Sequence, residues 1–113
     1  MISAELLKEV LGMYATPYDI EQKDSKLLFT WDNSSGSANT DVNIYQLAHM
    51  CKEWANDLSP KRYQLYSCIA PQRLSYSTCT IYSGAIQQTG EISADTEQES
   101  IFKACQWILE KLK

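Results

Sequence analysis

The chain has 113 residues, enough for one domain with a core of its own. It is 44% hydrophobic, and 14 acidic residues outweigh 10 basic ones for a net charge of −4. The basic residues are scattered, with Lys61 and Arg62 the only adjacent pair, so neither nucleic acid nor a polybasic membrane contact is expected.

Leu6 and Leu7 are followed at once by Lys8 and Glu9, so no signal-peptide core forms, and no apolar run reaches membrane-spanning length. A cytoplasmic location is expected. Cys51, Cys68, Cys79 and Cys105 contain no C-x-x-C spacing, which removes the usual zinc and dithiol signatures. In a reducing compartment they read as free, mostly buried thiols.

In chain order, residues 3 to 14 form a first helix, with Ser3 as its N-cap and Leu6, Leu7, Val10, Leu11 and Tyr14 as its apolar face. Gly12 and Pro17 mark its end region. Residues 18 to 21 alternate as a half-buried strand does, Lys23, Asp24 and Ser25 turn the chain, and Leu27, Phe29 and Trp31 define a second strand. Residues 32 to 41, DNSSGSANTD, are turn formers without a large side chain and predict an exposed loop. The spacing does not match a calcium loop, because the Gly is displaced and no Glu closes it.

Residues 41 to 58 predict an amphipathic helix around which the rest is organised. Ile44, Leu47, Ala48, Cys51, Ala55 and Leu58 share one face, Asn43 with Gln46 makes a capping box, and Pro60 prevents continuation. Residues 63 to 70 and 75 to 82 are strand-like, with a turn at Ala70, Pro71, Gln72 and Arg73; residues 84 to 90 extend the second strand or bend away from it. Residues 95 to 112 predict the last helix. Thr96 with Glu99 caps it, acids crowd its start and Lys111 lies near its end. Ile101, Ala104, Cys105, Ile108 and Leu112 form its inner stripe, widened by Phe102 and Leu109. The order α-ββ-α-ββ-α predicts a single α+β domain over residues 1 to 113, with an antiparallel sheet of about four strands from two hairpins and helices on one face.

Two segments carry a resemblance: NIYQLAHMCKEWA at 43 to 55 and ADTEQESIFKACQWILEKL at 94 to 112. They resemble short uncharacterised bacterial and prophage-type proteins that share a helix ending in C-K-E-W and a closing D-T-E-x-E-x-I-x-K-A-C-x-W-I helix. The matching residues are Cys51 to Trp54 and Asp95 to Ile108, about a third of the chain. The resemblance implies a bacterial or phage origin and no activity that transfers residue by residue.

No catalytic, cofactor or metal constellation is legible. His49 is the only histidine; it falls on the polar side of the middle helix with Glu53 one turn on, and two helical residues apart from Cys51 it points elsewhere. It reads as a solvated residue or as a pH-sensitive contact. Trp107, between Lys103 and Lys111 on its helix, either anchors a partner or rests against the sheet. Tyr45 poses the same choice, and Tyr63, Tyr66, Tyr76 and Tyr82 are candidates for an open sheet face. The expected function is a non-enzymatic module that binds a protein partner or a second copy, with Tyr45, His49 and Trp107 as candidate contacts and no cofactor. The alternative is a small enzyme or a ligand- or metal-binding domain using His49 or a cysteine.

Overall fold

The computed structural model describes residues 1–69 and 76–113. Among the described residues, three helices and two antiparallel sheets build one α+β domain around a single core. The molecule is a slab of 46 × 37 × 18 Å. The short dimension accommodates one helix layer on one sheet layer.

Helix α1 (Ala4–Leu11) opens where the Ser3 side chain accepts from the Leu6 N–H at 3.1 Å. It closes where Gly12 takes a left-handed conformation, φ 64° and ψ 39°, and Met13 N–H reaches back to the Lys8 carbonyl. The helix is therefore shorter than expected from the apolar spacing. Tyr14 lies beyond the cap and is exposed, so it is no part of the inner face.

Strands β1 (Tyr18–Lys23), β2 (Lys26–Asn33) and β3 (Gly36–Asn43) form the first sheet as an antiparallel meander. The expected loop at 32 to 41 is instead the end of β2, a tight turn and most of β3. Eight successive residue pairs, from Lys26↔Asn43 to Asn33↔Gly36, hold the hairpin. Asn33 accepts from the Ser35 N–H at 2.8 Å, and Gly36 resumes the strand at φ 127°, which other residues rarely adopt. Because β3 faces water over most of its surface, its polar composition does not prevent pairing.

Helix α2 (Ile44–Asn56) follows β3 without a linker. Asn43 caps it, its side chain accepting from the N–H groups of Tyr45 and Gln46. Strand β4 (Gln64–Ile69) pairs along its length with β5 (Ser77–Ser83). Strands β6 (Ile86–Gln87) and β7 (Ile92–Ala94) both pair with β5 as well, completing a second sheet. The turn expected at 70–73 lies outside the described residues. Helix α3 (Glu97–Leu112), capped by Thr96, packs on α2 and on β4, β5 and β7.

The core joins Leu6 and Leu7 of α1, Leu27 and Phe29 of β2, and Leu47, Cys51 and Ala55 of α2 to Ile81 of β5 and Ile101, Cys105 and Ile108 of α3. Most of the expected stripes on α2 and α3 are buried, but Leu112 at the end of α3 is half exposed. Cys79 is core as expected; Cys68 is exposed, because it shares the outer face of β4 with Tyr66.

Candidate functional site

Strand and helix lengths explain an apolar groove on one side of the first sheet. An eight-residue strand such as β2 is about 26 Å long, whereas eight helical residues span about 12 Å. Helix α1 therefore cannot cover the whole inner face of the β2–β3 hairpin. Leu27 and Phe29 lie under the core, but Trp31, next on the same face, is only partly buried.

The gap is a groove of about 540 Å³ lined by Leu11, Met13, Tyr14, Phe29 and Trp31, with Asp32 at its border. The α1 cap builds one wall, since the left-handed turn at Gly12 brings Met13 and Tyr14 round. The hairpin builds the other. The Trp31 indole N–H donates to Thr40 Oγ1 at 2.8 Å, which fixes the ring on this face. On the opposite face Thr30 donates to Asn39 at 2.9 Å.

That opposite face is acidic. A shallow depression of about 450 Å³ there is bordered by Asp19, Glu21 and Asp41. Lys26 approaches Asp41 at 3.8 Å, both well exposed. Tyr18 donates to Asp32 at 2.8 Å, and this bond to a carboxylate raises the phenol above its ordinary value. The hairpin thus presents an apolar side and an acidic side.

The residues singled out from the sequence lie elsewhere. Tyr45 and His49 stand one turn apart on the exposed side of α2, and His49 pairs with Glu53. Trp107 on α3 meets Tyr63 edge to face, with ring centroids 6.4 Å apart, and Lys111 Nζ lies 5.1 Å from its ring centre. Trp107 is thus partly buried against the start of β4. Among the described residues no hydrogen bond or ring contact joins it to Tyr45 or His49. Of the tyrosines, Tyr66 and Tyr82 meet edge to face on the outer side of β4 and β5, whereas Tyr63 is buried. Trp31 was not foreseen as a contact; the available signal was an aromatic continuing the Leu27–Phe29 alternation.

The thiols are dispersed. Cys51 is fully buried while His49 is exposed, so the two face opposite ways. Burial raises the Cys79 thiol to about 11, although the nearby Lys52 ammonium pulls the other way. A hydrogen bond to Cys51, together with burial, raises Cys105. Among the described residues no group of three or more His, Cys, Asp or Glu side chains is placed to hold a metal ion, and no helix is long and apolar enough to cross a membrane. No protein-family model, curated protein or solved structure matches the chain.

Proposed function

We propose that this chain is a non-enzymatic protein–protein interaction module of bacterial or prophage origin that works in the cytoplasm. The observation that carries the reading is the apolar groove at Trp31, left open where α1 ends short of the hairpin. An indole held by a hydrogen bond on a concave apolar surface has the character of a binding anchor. Asp32 at the border of the groove favours a partner segment whose apolar residues carry a lysine or arginine flank, and the acids Asp19, Glu21 and Asp41 on the opposite face add a longer-range attraction for such a segment. They also disfavour nucleic acid, whose phosphates they would repel. Four free cysteines, three of them buried, fit a reducing compartment.

Selection of a random peptide library on the folded protein tests this. The expected result is enrichment of short apolar sequences with basic flanks, whose binding is lost in Trp31→Ala and weakened in Asp32→Asn. Equal recovery on wild type and on Trp31→Ala would remove the groove from the reading.

A further inference from the structure

A strand at the edge of a sheet offers unpaired N–H and C=O groups to any passing strand, and most exposed edges carry a device against it. Three edges among the described residues do. Strand β1 has an irregular register between Tyr18 and Glu21, a left-handed Asp19 at φ 51°, and Asp19, Glu21 and Lys23 along its length. Strand β3 carries Asp41 among small polar residues. On the far side of β5 the edge is divided between a two-residue strand and a three-residue strand.

Strand β4 has none of these. Its sequence, QLYSCI, contains no charge, proline or glycine. Its register with β5 runs unbroken from Gln64↔Tyr82 to Ile69↔Ser77. Among the described residues no other strand pairs with it. It also shows apolar surface on both faces: Tyr66 is 62% exposed and Ile69 is 75% exposed.

We infer that β4 is a self-association edge, along which two copies of this chain pair antiparallel about a two-fold axis at Ser67. In that register Leu65 lies opposite Ile69 of the second copy and Tyr66 lies opposite its Cys68. Leu65 and Ile69 are on the helix side of the strand, so the exposed Ile69 gains an apolar neighbour of the same face. Moving the axis by one residue opposes Leu65 with Ser67 or Ile69 with Ser67, which loses that match.

The two-fold match, which pairs Leu65 with Ile69 twice, favours a second copy over a foreign strand, and charge does not oppose it at this edge. Two chains of net charge −4 repel except where they meet through neutral surface, and β4 carries no charge at all. Beneath it, Lys52 donates to Ser67 at 2.8 Å and Ser67 donates to Glu97 at 3.1 Å, so the nearest charges are opposite in sign and linked through one hydroxyl. A basic partner would be drawn instead to the acidic hairpin. The Lys52 contact also places α2 under this edge, so the two-fold brings the α2 helices of both copies towards each other. Their approach supplies area beyond the strand pair, which a stable dimer requires.

The test is the concentration dependence of mass by sedimentation of the full chain, for wild type, Ile69→Lys and Tyr66→Lys. Both positions are exposed, and the far-ultraviolet spectrum checks folding. Wild type is expected to dimerise and each lysine variant to associate at least roughly tenfold more weakly. If one variant unfolds, the other decides. Register is read from Tyr66→Cys, which should cross-link on mild oxidation to the native Cys68 of the second copy and lose that cross-link when Cys68→Ala is added. A wild type that stays monomeric at high concentration, or a dimer that both lysine variants leave intact, overturns the inference. Trp31→Ala should leave the mass unchanged, and Ile69→Lys should leave peptide capture unchanged, so failure at the edge and failure at the groove are separately visible.

Discussion

The indole of Trp31 is tied to the hydroxyl of Thr40 across the β2–β3 hairpin, two residues beyond the point where the core ends on β2. The bond orients a large ring that packing alone holds only on one side. Replacing Trp31 with Ala should abolish peptide capture while costing about 1–2 kcal/mol of stability, less than a fully buried aromatic would. Thr40→Val keeps the volume and removes the acceptor; binding should weaken several-fold with the fold intact. Titration by fluorescence anisotropy, alongside urea unfolding, separates the two effects.

The thiols should divide three to one. Cys51, Cys79 and Cys105 are buried, and Cys68 alone is exposed, its sulfur 3.1 Å from Thr78 Oγ1. A thiol reagent should label Cys68 in the native protein and the other three only after unfolding. Rapid native labelling of a second cysteine would point to an accessible nucleophile and favour the enzyme reading.

Stability should fall at high pH. The Cys79 thiol titrates near 9 when unfolded and is raised to about 11 in the fold. Below pH 9 both states keep the proton and no pH dependence arises from it. Above that, the unfolded chain ionises first, so the native state loses support progressively up to about pH 11. Two pH units correspond to about 2–3 kcal/mol at most. Urea midpoints measured at pH 7 and pH 10.5 should show the loss, and Cys79→Ala should lessen it, leaving the share of Cys105, whose thiol is also raised.

Two caps should cost stability by different routes. Asn43→Ala removes the acceptor for two N–H groups at the start of α2, with an expected loss of about 1 kcal/mol. Gly12→Ala meets no atom within 4 Å of the added carbon, so its cost, also about 1 kcal/mol, is purely conformational. Only Gly12→Ala should also weaken groove binding, because that turn positions Met13 and Tyr14.

The caps at Ser3, Asn43 and Thr96 were legible because each acts on N–H groups within three residues of itself. The inner stripes of α2 and α3 were legible because a helix repeats its apolar face every turn. Strand β3 was not: its pairing energy lies in backbone groups common to every residue, and only Ala38 and Val42 of its eight residues turn apolar side chains inward. That Cys68 is the exposed thiol was not legible for a related reason, since Tyr66 and Leu65 are both compatible with burial and only the pairing partner reveals which faces water. The groove at Trp31 depends on the length of α1 relative to β2, a comparison between elements that no single window of sequence contains. The edge character of β4 likewise emerges only once the strand order is known.

The mismatch between a helix of eight residues and a strand of equal count makes the far half of the hairpin a cantilever. Its root is clamped by Leu27 and Phe29, and towards its free end, at Asn33 and Gly36, the described residues brace it with its own ladder and the Tyr18–Asp32 hydrogen bond from β1. Such an arm can flex about the root without disturbing the core, and its amides should exchange with solvent well before those of α2 or α3. The groove width is then adjustable. A partner with a bulkier side chain opens it by bending the arm, and the restoring force is set by a few cross-strand hydrogen bonds rather than by the stability of the domain.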